Sequence, residues 1–294
     1  MIPSLAAIAS PSADPATTQG FGKLMIQLAI GIRAGQWWYF LALPVASVPS
    51  LLWRGHPGRA LLLWLAGATI SGLCLAYAYA INGLSERSTD LDARKNPWVG
   101  RETQAGARLA VAALAAFAVG LAVLAGPLAL WAASLSVVSA TVYSTGPRTK
   151  RHVALGTLSN ALIFGPLLLV APGASWQLPL AGWLGTFVAL LLQNQLIHEQ
   201  VDAQEDCAAG DHSTAAWLGT EATHKVLIML GIVAAAAATW AASRPWALGF
   251  LLATVAGATA VASSGQPAQW RRQGQRWLSF GGAALAYLLQ LVAS

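Results

Sequence analysis

The chain has 294 residues, of which 56% are hydrophobic and only 10% charged, with a mean hydropathy of +0.57. Soluble domains carry about a quarter charged residues, so this balance excludes an ordinary soluble globular protein and implies an integral membrane one. The net charge of +6 does not mark a nucleic-acid binder, because the basic residues are dispersed over short connections between apolar runs. Cys74 and Cys207 sit in an apolar run and an acidic stretch, fit no metal-ligand spacing, and make no disulfide framework.

Residues 1–22 read as a polar, flexible tail without the charged start and cleavage site of a signal peptide, and 23–294 as one transmembrane domain. A bilayer-spanning helix needs about 20 mainly apolar residues. On that ruler the chain offers nine segments, at 36–53, 60–82, 106–125, 127–145, 153–172, 177–198, 223–242, 245–264 and 275–293. Breakers or charges mark the junctions, including His56-Pro57-Gly58, Gly126-Pro127, Gly146-Pro147, Pro172-Gly173 and Arg244-Pro245. With nine spans, every basic residue except Arg54, Arg59 and Arg244 falls on one side of the membrane. That side is then cytoplasmic, as in a bacterial inner membrane or its equivalent, and carries the loops 83–105, 146–152, 199–222 and 265–274. Trp37, Trp38, Trp53, Trp98, Trp176, Trp246, Trp270 and Trp277 lie near span ends, where interfacial anchoring explains most of them.

Of the 11 acidic residues, all but Asp14 fall in two windows, 86–102 and 199–221, both on the cytoplasmic side. In the first, Asn82, Glu86 and Asp90 recur every four residues and stack along one helical face, with Asp92 just beyond. In the second, His198, Asp202 and Asp206 repeat that step. Each helix end can then aim two carboxylates at a shared cation. Carboxylates are hard ligands that suit magnesium, which binds through one or two of them together with phosphate oxygens. A carboxylate at a membrane mouth is costly unless partnered, so two similar windows on one side point to function. The competing explanation is two solvated loops whose acids pair with Arg87, Arg94, Arg101 or Lys225.

Between the windows, Arg148, Lys150 and Arg151 follow the Gly146-Pro147 turn. Alone they suit a positive-inside anchor. Beside two acid windows they suit a clamp for diphosphate oxygens, with charge-assisted donors.

Together these segments resemble the UbiA superfamily of intramembrane prenyltransferases, over nearly the whole length. That family has nine transmembrane helices, an Asn-Asp-x-x-Asp-x-x-x-Asp motif after the second and an Asp-x-x-x-Asp motif after the sixth. Here the first reads Asn82-Gly83-x-x-Glu86-x-x-x-Asp90, with Asp92 and Asn96-Pro97 following. The second is Asp202-x-x-x-Asp206, continuing through Gly210, Ser213-Thr214-Ala215 and Leu218-Gly219. The run Tyr143-Ser144 to Arg148-x-Lys150 resembles the connection between the fourth and fifth helices. Ile32-Arg33-x-x-Gln36-Trp37 resembles the approach to the first. Gly83 and Glu86 depart from the pattern, removing one candidate ligand and lengthening another.

The resemblance implies an all-α membrane fold of nine helices around a central cavity. It implies transfer of a prenyl group from a polyprenyl diphosphate to a lipophilic acceptor, in contact with membrane lipid and with no nucleic acid. Mg2+ would be held by Glu86, Asp90, Asp92, Asp202 and Asp206. The diphosphate would be held by Asn82, Ser144, Arg148 and Lys150, with Arg94, Lys95 and Asn194. Tyr143 would face the allylic carbon, where an electron-rich ring favours positive charge, and Asp90, Asp202 and Asp206 would serve the chemistry directly. His198 reads as a partner of Asp202 before it reads as a base. A terpene cyclase on the same scaffold shares these motifs. A transporter or a non-catalytic scaffold fits them less well.

Overall fold

The computed structural model describes residues 26, 28–88, 96–99, 105–146, 149, 152–209 and 213–292, without the side chains of 50, 51, 204–209 and 292. The N-terminal tail, Asp90, Asp92, Arg94, Lys95, Arg148 and Lys150 therefore lie outside the described residues. No strand occurs among the described residues. After a short 3-10 turn at Ala34–Gln36 comes a 3-10 helix at Trp38–Ser47, and then the helices α1 (Ser50–Gly55), α2 (Pro57–Glu86), α3 (Ala105–Ala125) and α4 (Pro127–Ser144). Helix α5 (Leu155–Phe164) runs on as 3-10 helix through Gly165–Leu169, followed by α6 (Leu178–Ala209), α7 (Thr214–Ala241), α8 (Pro245–Ala262) and α9 (Ala268–Val292).

Six of these, α2, α3, α4, α6, α7 and α8, are long and apolar enough to cross a membrane. The remaining three expected segments are also helical, but differ in form. Segment 36–53 is mainly 3-10 helix with Pro44 inside it, 153–172 changes from α to 3-10 at Gly165-Pro166, and 275–293 belongs to the more polar α9. Proline at N1 or N2 opens α2, α4 and α8, where its missing N–H costs nothing.

Long apolar side chains such as Leu62, Leu109, Phe117, Leu124, Ile232 and Trp240 are exposed on the outside, while the interior is lined largely with alanine and glycine. Without a hydrophobic force between helices in lipid, small residues provide association through close packing. At Gly182 a Cβ would stand 2.3 Å from the Ala241 nitrogen, so α6 and α7 pack this tightly only because the residue has no side chain. Helix α7 is interrupted at Gly219, whose φ of 73° is non-helical and suits glycine.

Two expectations change. The acid-bearing connection 199–222 is largely helix, because α6 continues to Ala209 and α7 begins at Thr214. With 30 residues, α2 extends about 45 Å at 1.5 Å per residue, well beyond a hydrocarbon core of about 30 Å; its acidic end can thus project beyond that core. Trp37 and Trp98 are buried rather than interfacial. Trp37 donates its indole N–H to the Ile32 carbonyl, and Trp98 packs between Gly31 and Gly83. Trp38, Trp176, Trp246, Trp270 and Trp277 are exposed, as anchoring requires.

Candidate active site

The ends of α2, α4, α5, α6 and α9, with the N-terminus of α7 and the segment 33–40, enclose a polar cavity of about 590 Å³. Helix α6 offers it one continuous stripe, Leu191, Asn194, Gln195, His198, Glu199 and Asp202. These residues recur at three- and four-residue steps, as one face of a 3.6-residue helix demands. Helix α2 contributes Tyr79, Asn82 and Glu86, and α4 contributes Tyr143 and Ser144. The structure thus brings Asn82, Glu86, Tyr143, Ser144, Asn194 and Asp202 to one cavity. Asp206 lies on α6 one helical turn past Asp202, with its side chain outside the description.

Glu86 is buried, and the Asn82 side-chain amide donates to its Oε2 at 2.6 Å. The same amide accepts from the Ser144 hydroxyl through its oxygen, at 3.3 Å, so α4, α2 and the carboxylate form one chain of polar contacts. On α6, His198 Nδ1 lies 3.0 Å from Asp202 Oδ2. Asn194 lines the cavity, but its amide nitrogen donates to the Arg272 carbonyl at 3.0 Å and to Gln275 Oε1 at 2.8 Å. It therefore ties α6 to α9 while facing the cavity.

Gly83 does not face the cavity. Its neighbours are Asn96 and Trp98, and the Asn96 amide donates to the Gly83 carbonyl at 2.8 Å while its oxygen accepts from the Trp98 N–H at 3.1 Å. The missing acid at this position is therefore matched by a packed junction between α2 and the segment after the first acidic window.

Several lining residues carried no assigned role in the sequence. Glu199 is buried and accepts from the Thr157 hydroxyl at 2.6 Å, the Ala215 N–H at 3.0 Å and the Gln195 amide at 3.3 Å. Since a hydroxyl has one proton, Thr214, 2.5 Å from Thr157, donates to it and in turn accepts from the Ala154 N–H. With Ser213 capping Ala216, this network satisfies the open N–H groups at the start of α7 and fixes α6 beside Asp202. Arg33 also faces the cavity from a left-handed backbone conformation, φ 48°, unusual for a residue with a side chain.

Arg272 and Arg276 enter from α9. In the sequence they look like membrane-orienting charges; their four-residue spacing was the available signal. Burial and then the adjacent Arg276 push the Arg272 guanidinium below its usual value, and Asp202 pulls it back up. Arg276 lies over the Tyr39 ring, 5.4 Å from its centroid, a cation–π contact.

A second, apolar cavity of about 110 Å³ adjoins the first, and Tyr39, Phe40, Leu191, Asn194 and Arg276 line both. Its walls include Leu43, Ala46, Trp183, Phe187, Phe280, Ala283 and Tyr287. Among the described residues no group of three His, Cys, Asp or Glu side chains is gathered as a complete metal site.

The described residues thus form a helical membrane fold with a polar cavity and an apolar chamber beside it. The sequence model of the UbiA prenyltransferase family matches residues 38–289, and the chain belongs to that family. No curated protein sequence matches it. The structure of a UbiA homologue from Archaeoglobus fulgidus bound to DMAPP and Mg2+ superposes with a TM-score of 0.70 at 19% identity, covering 90% of this chain and 99% of the homologue. A structure of digeranylgeranylglyceryl phosphate synthase gives 0.71 at 14% identity, covering 92% of this chain and all of that one (100%). An apo UbiA homologue from Aeropyrum pernix K1 gives 0.58 at 17%, covering 85% and 98%. At such identities the likeness is one of fold.

Proposed function

We propose that this protein is a magnesium-dependent intramembrane prenyltransferase, moving a prenyl group from a polyprenyl diphosphate to a lipophilic acceptor and releasing diphosphate. The observation that carries this reading is the pairing of the two cavities. One is polar and lined by the Glu86 and Asp202 carboxylates, the other is apolar, and they meet along Tyr39, Phe40 and Leu191. An amphipathic diphosphate has its head and tail matched by that arrangement. Structures of a UbiA homologue from Archaeoglobus fulgidus hold DMAPP and Mg2+ in one case and GPP and Mg2+ in the other.

The donor set suits a hard divalent cation. Glu86 and Asp202 bring oxygen ligands from different helices to one cavity, and we assign Asp90, Asp92 and Asp206 as the further ligands. Magnesium, when bound, neutralises the diphosphate and makes it a better leaving group. Asn82 holds Glu86 in place, and His198 stands beside Asp202. Ser144, Arg148 and Lys150, with Arg94 and Lys95, donate to the diphosphate oxygens; Asn194 contributes its free carbonyl face and a fixed position. The bond from the allylic carbon to its bridging oxygen breaks with its electron pair going to diphosphate. Tyr143 faces the resulting positive charge, and the acceptor's nucleophilic atom bonds to that carbon and loses a proton.

Nine crossings fit this reading. Trp38–Ser47 spans about 20 Å as ten residues of 3-10 helix, and α1 adds roughly 9 Å, together close to a hydrocarbon core. The acid-bearing ends then face the cytoplasm, as the basic-residue asymmetry favours.

The test supplies the purified protein in lipid nanodiscs with labelled geranyl, farnesyl and geranylgeranyl diphosphates, with and without Mg2+ and a panel of acceptors. Mg2+-dependent diphosphate release with a prenylated acceptor is expected. A cyclic hydrocarbon formed without acceptor would assign a cyclase instead, and no release from any donor would end the catalytic reading.

A further inference from the structure

We propose that Arg272 and Arg276 form an anion subsite that holds a carboxylate or phosphate group of the acceptor at the meeting point of the two cavities, so that the acceptor is an acid. This rests on the transferase reading above.

The two guanidinium groups are one helical turn apart on α9 and both face the polar cavity; Arg276 also lines the apolar chamber. Among the described residues no carboxylate comes within ion-pair distance of either. The Nε of Arg272 is buried without a hydrogen-bond partner. The Nε of the neighbouring Arg271 is likewise without a hydrogen-bond partner, but its other donors are committed to the Ala262 carbonyl at 2.9 Å and Gln200 Oε1 at 2.7 Å. The Arg271 guanidinium ties α9 to α8 and α6, whereas the Arg276 guanidinium rests on the Tyr39 ring.

Their position is held from behind. Asn194 bonds the Arg272 carbonyl and Gln275, and Gln275 in turn donates to the Leu190 carbonyl at 2.9 Å. This buried amide network locks α9 against α6 and gives the arginine pair a fixed base. Two partly desolvated like charges side by side repel each other, and Asp202, the nearest compensating acid, is already engaged with His198. A bound anion relieves that repulsion. The planar fork of each guanidinium matches carboxylate or phosphate oxygens.

The chemistry of the transfer adds a reason. Bare guanidinium groups next to an allylic carbon that is gaining positive charge oppose ionisation. An acid lying between them removes that opposition and brings its own nucleophilic atom beside the carbon. The donor's diphosphate is the other source of such an anion. Arg276 stands at the rim of the chamber assigned to the prenyl chain, which favours the acceptor.

The experiment measures equilibrium binding of benzoate, phenyl phosphate and the neutral control benzamide to the full chain in nanodiscs of uncharged lipid. Geranylgeranyl diphosphate with Mg2+ is measured in parallel. Both anions are expected to bind about tenfold or more tightly than benzamide, and Arg272→Gln and Arg276→Gln each to weaken them by about tenfold, the loss of one charge-assisted contact. Donor binding is expected to stay within about threefold, and Arg276→Lys to recover part of the anion affinity while reporting on folding. The proposal is overturned if wild type prefers neither anion to benzamide, or if the variants bind anions as wild type does. It is equally overturned if donor binding falls in step with the anions, which would give the arginines to the diphosphate. Anion binding without any donor binding would leave the subsite standing and overturn the transferase reading.

Discussion

The Asn96 amide donates to the Gly83 carbonyl at 2.8 Å, and a Cβ at position 83 would stand 3.3 Å from Asn96 Oδ1 and 3.4 Å from Trp98 Cδ1. Position 83 therefore serves packing between α2 and the chain that follows the first acidic window. Restoring the acid of the family motif by Gly83→Asp is expected to add no metal ligand. Its carboxylate would be pushed against the Asn96 oxygen and the Trp98 ring, at a cost of about 1–3 kcal/mol. Gly83→Ala is expected to fall within about 1 kcal/mol of wild type, because the tight contact is offset by better helix propensity. Thermal unfolding in nanodiscs measures both; a Gly83→Asp protein that is as stable as wild type and more active would contradict this account.

Glu86 is held by Asn82, and the two side chains differ in what they supply. Glu86→Gln keeps an acceptor for the Asn82 amide but removes the charge a cation needs. It is expected to lower diphosphate release by about 100-fold or more, as loss of a direct electrostatic contact does. Asn82→Ala leaves the charge and removes only its support, so about a tenfold loss is expected. Reversal of that order in steady-state rates at saturating Mg2+ would show that Glu86 is structural. Asp202→Ala and Asp206→Ala are expected to abolish turnover while the protein remains in the membrane, and full activity in both would remove the metal assignment.

Glu199 tests the support beneath the second acidic window. Three donors converge on its buried carboxylate, from Thr157, Ala215 and Gln195. Glu199→Ala leaves them unpaired and is expected to destabilise the protein by about 3 kcal/mol. Thr157→Val removes one member of the network and is expected to cost about 1 kcal/mol. Chemical denaturation in mixed micelles reads the two values, and equal small effects would show that the network is not a stabilising unit.

How much of this was legible in the sequence depended on whether one helix carried the signal. The steps Asn82 to Glu86 and Asn194 to His198 to Asp202 lie within single helices, so periodicity alone put each set on one face. The burial of Trp37 and Trp98, and the packing role of Gly83, depend on contacts between separate segments, which hydropathy does not encode. Arg272 and Arg276 were hidden by a second sufficient explanation, since a cationic residue near a span end already satisfies membrane orientation. The type of helix at 38–47 was also out of reach. Apolar composition sets burial, while Pro44 and the crowding around it decide between α and 3-10.

Ala46 and Ala283 line the apolar chamber beside Phe187, Phe280 and Tyr287, so small side chains keep it open. Enlarging either fills space that the prenyl chain would occupy while leaving the carboxylates of the polar cavity untouched. Ala283→Phe is expected to reduce kcat/KM for geranylgeranyl diphosphate by about tenfold or more relative to geranyl diphosphate, since overfilling a packed apolar site costs about 1–3 kcal/mol. Ala46→Phe is expected to act in the same direction. The ratio of the two donors is the informative quantity, because a general folding defect lowers both alike. An unchanged ratio in both variants would move the prenyl chain out of this chamber and into the lipid-facing grooves between the helices.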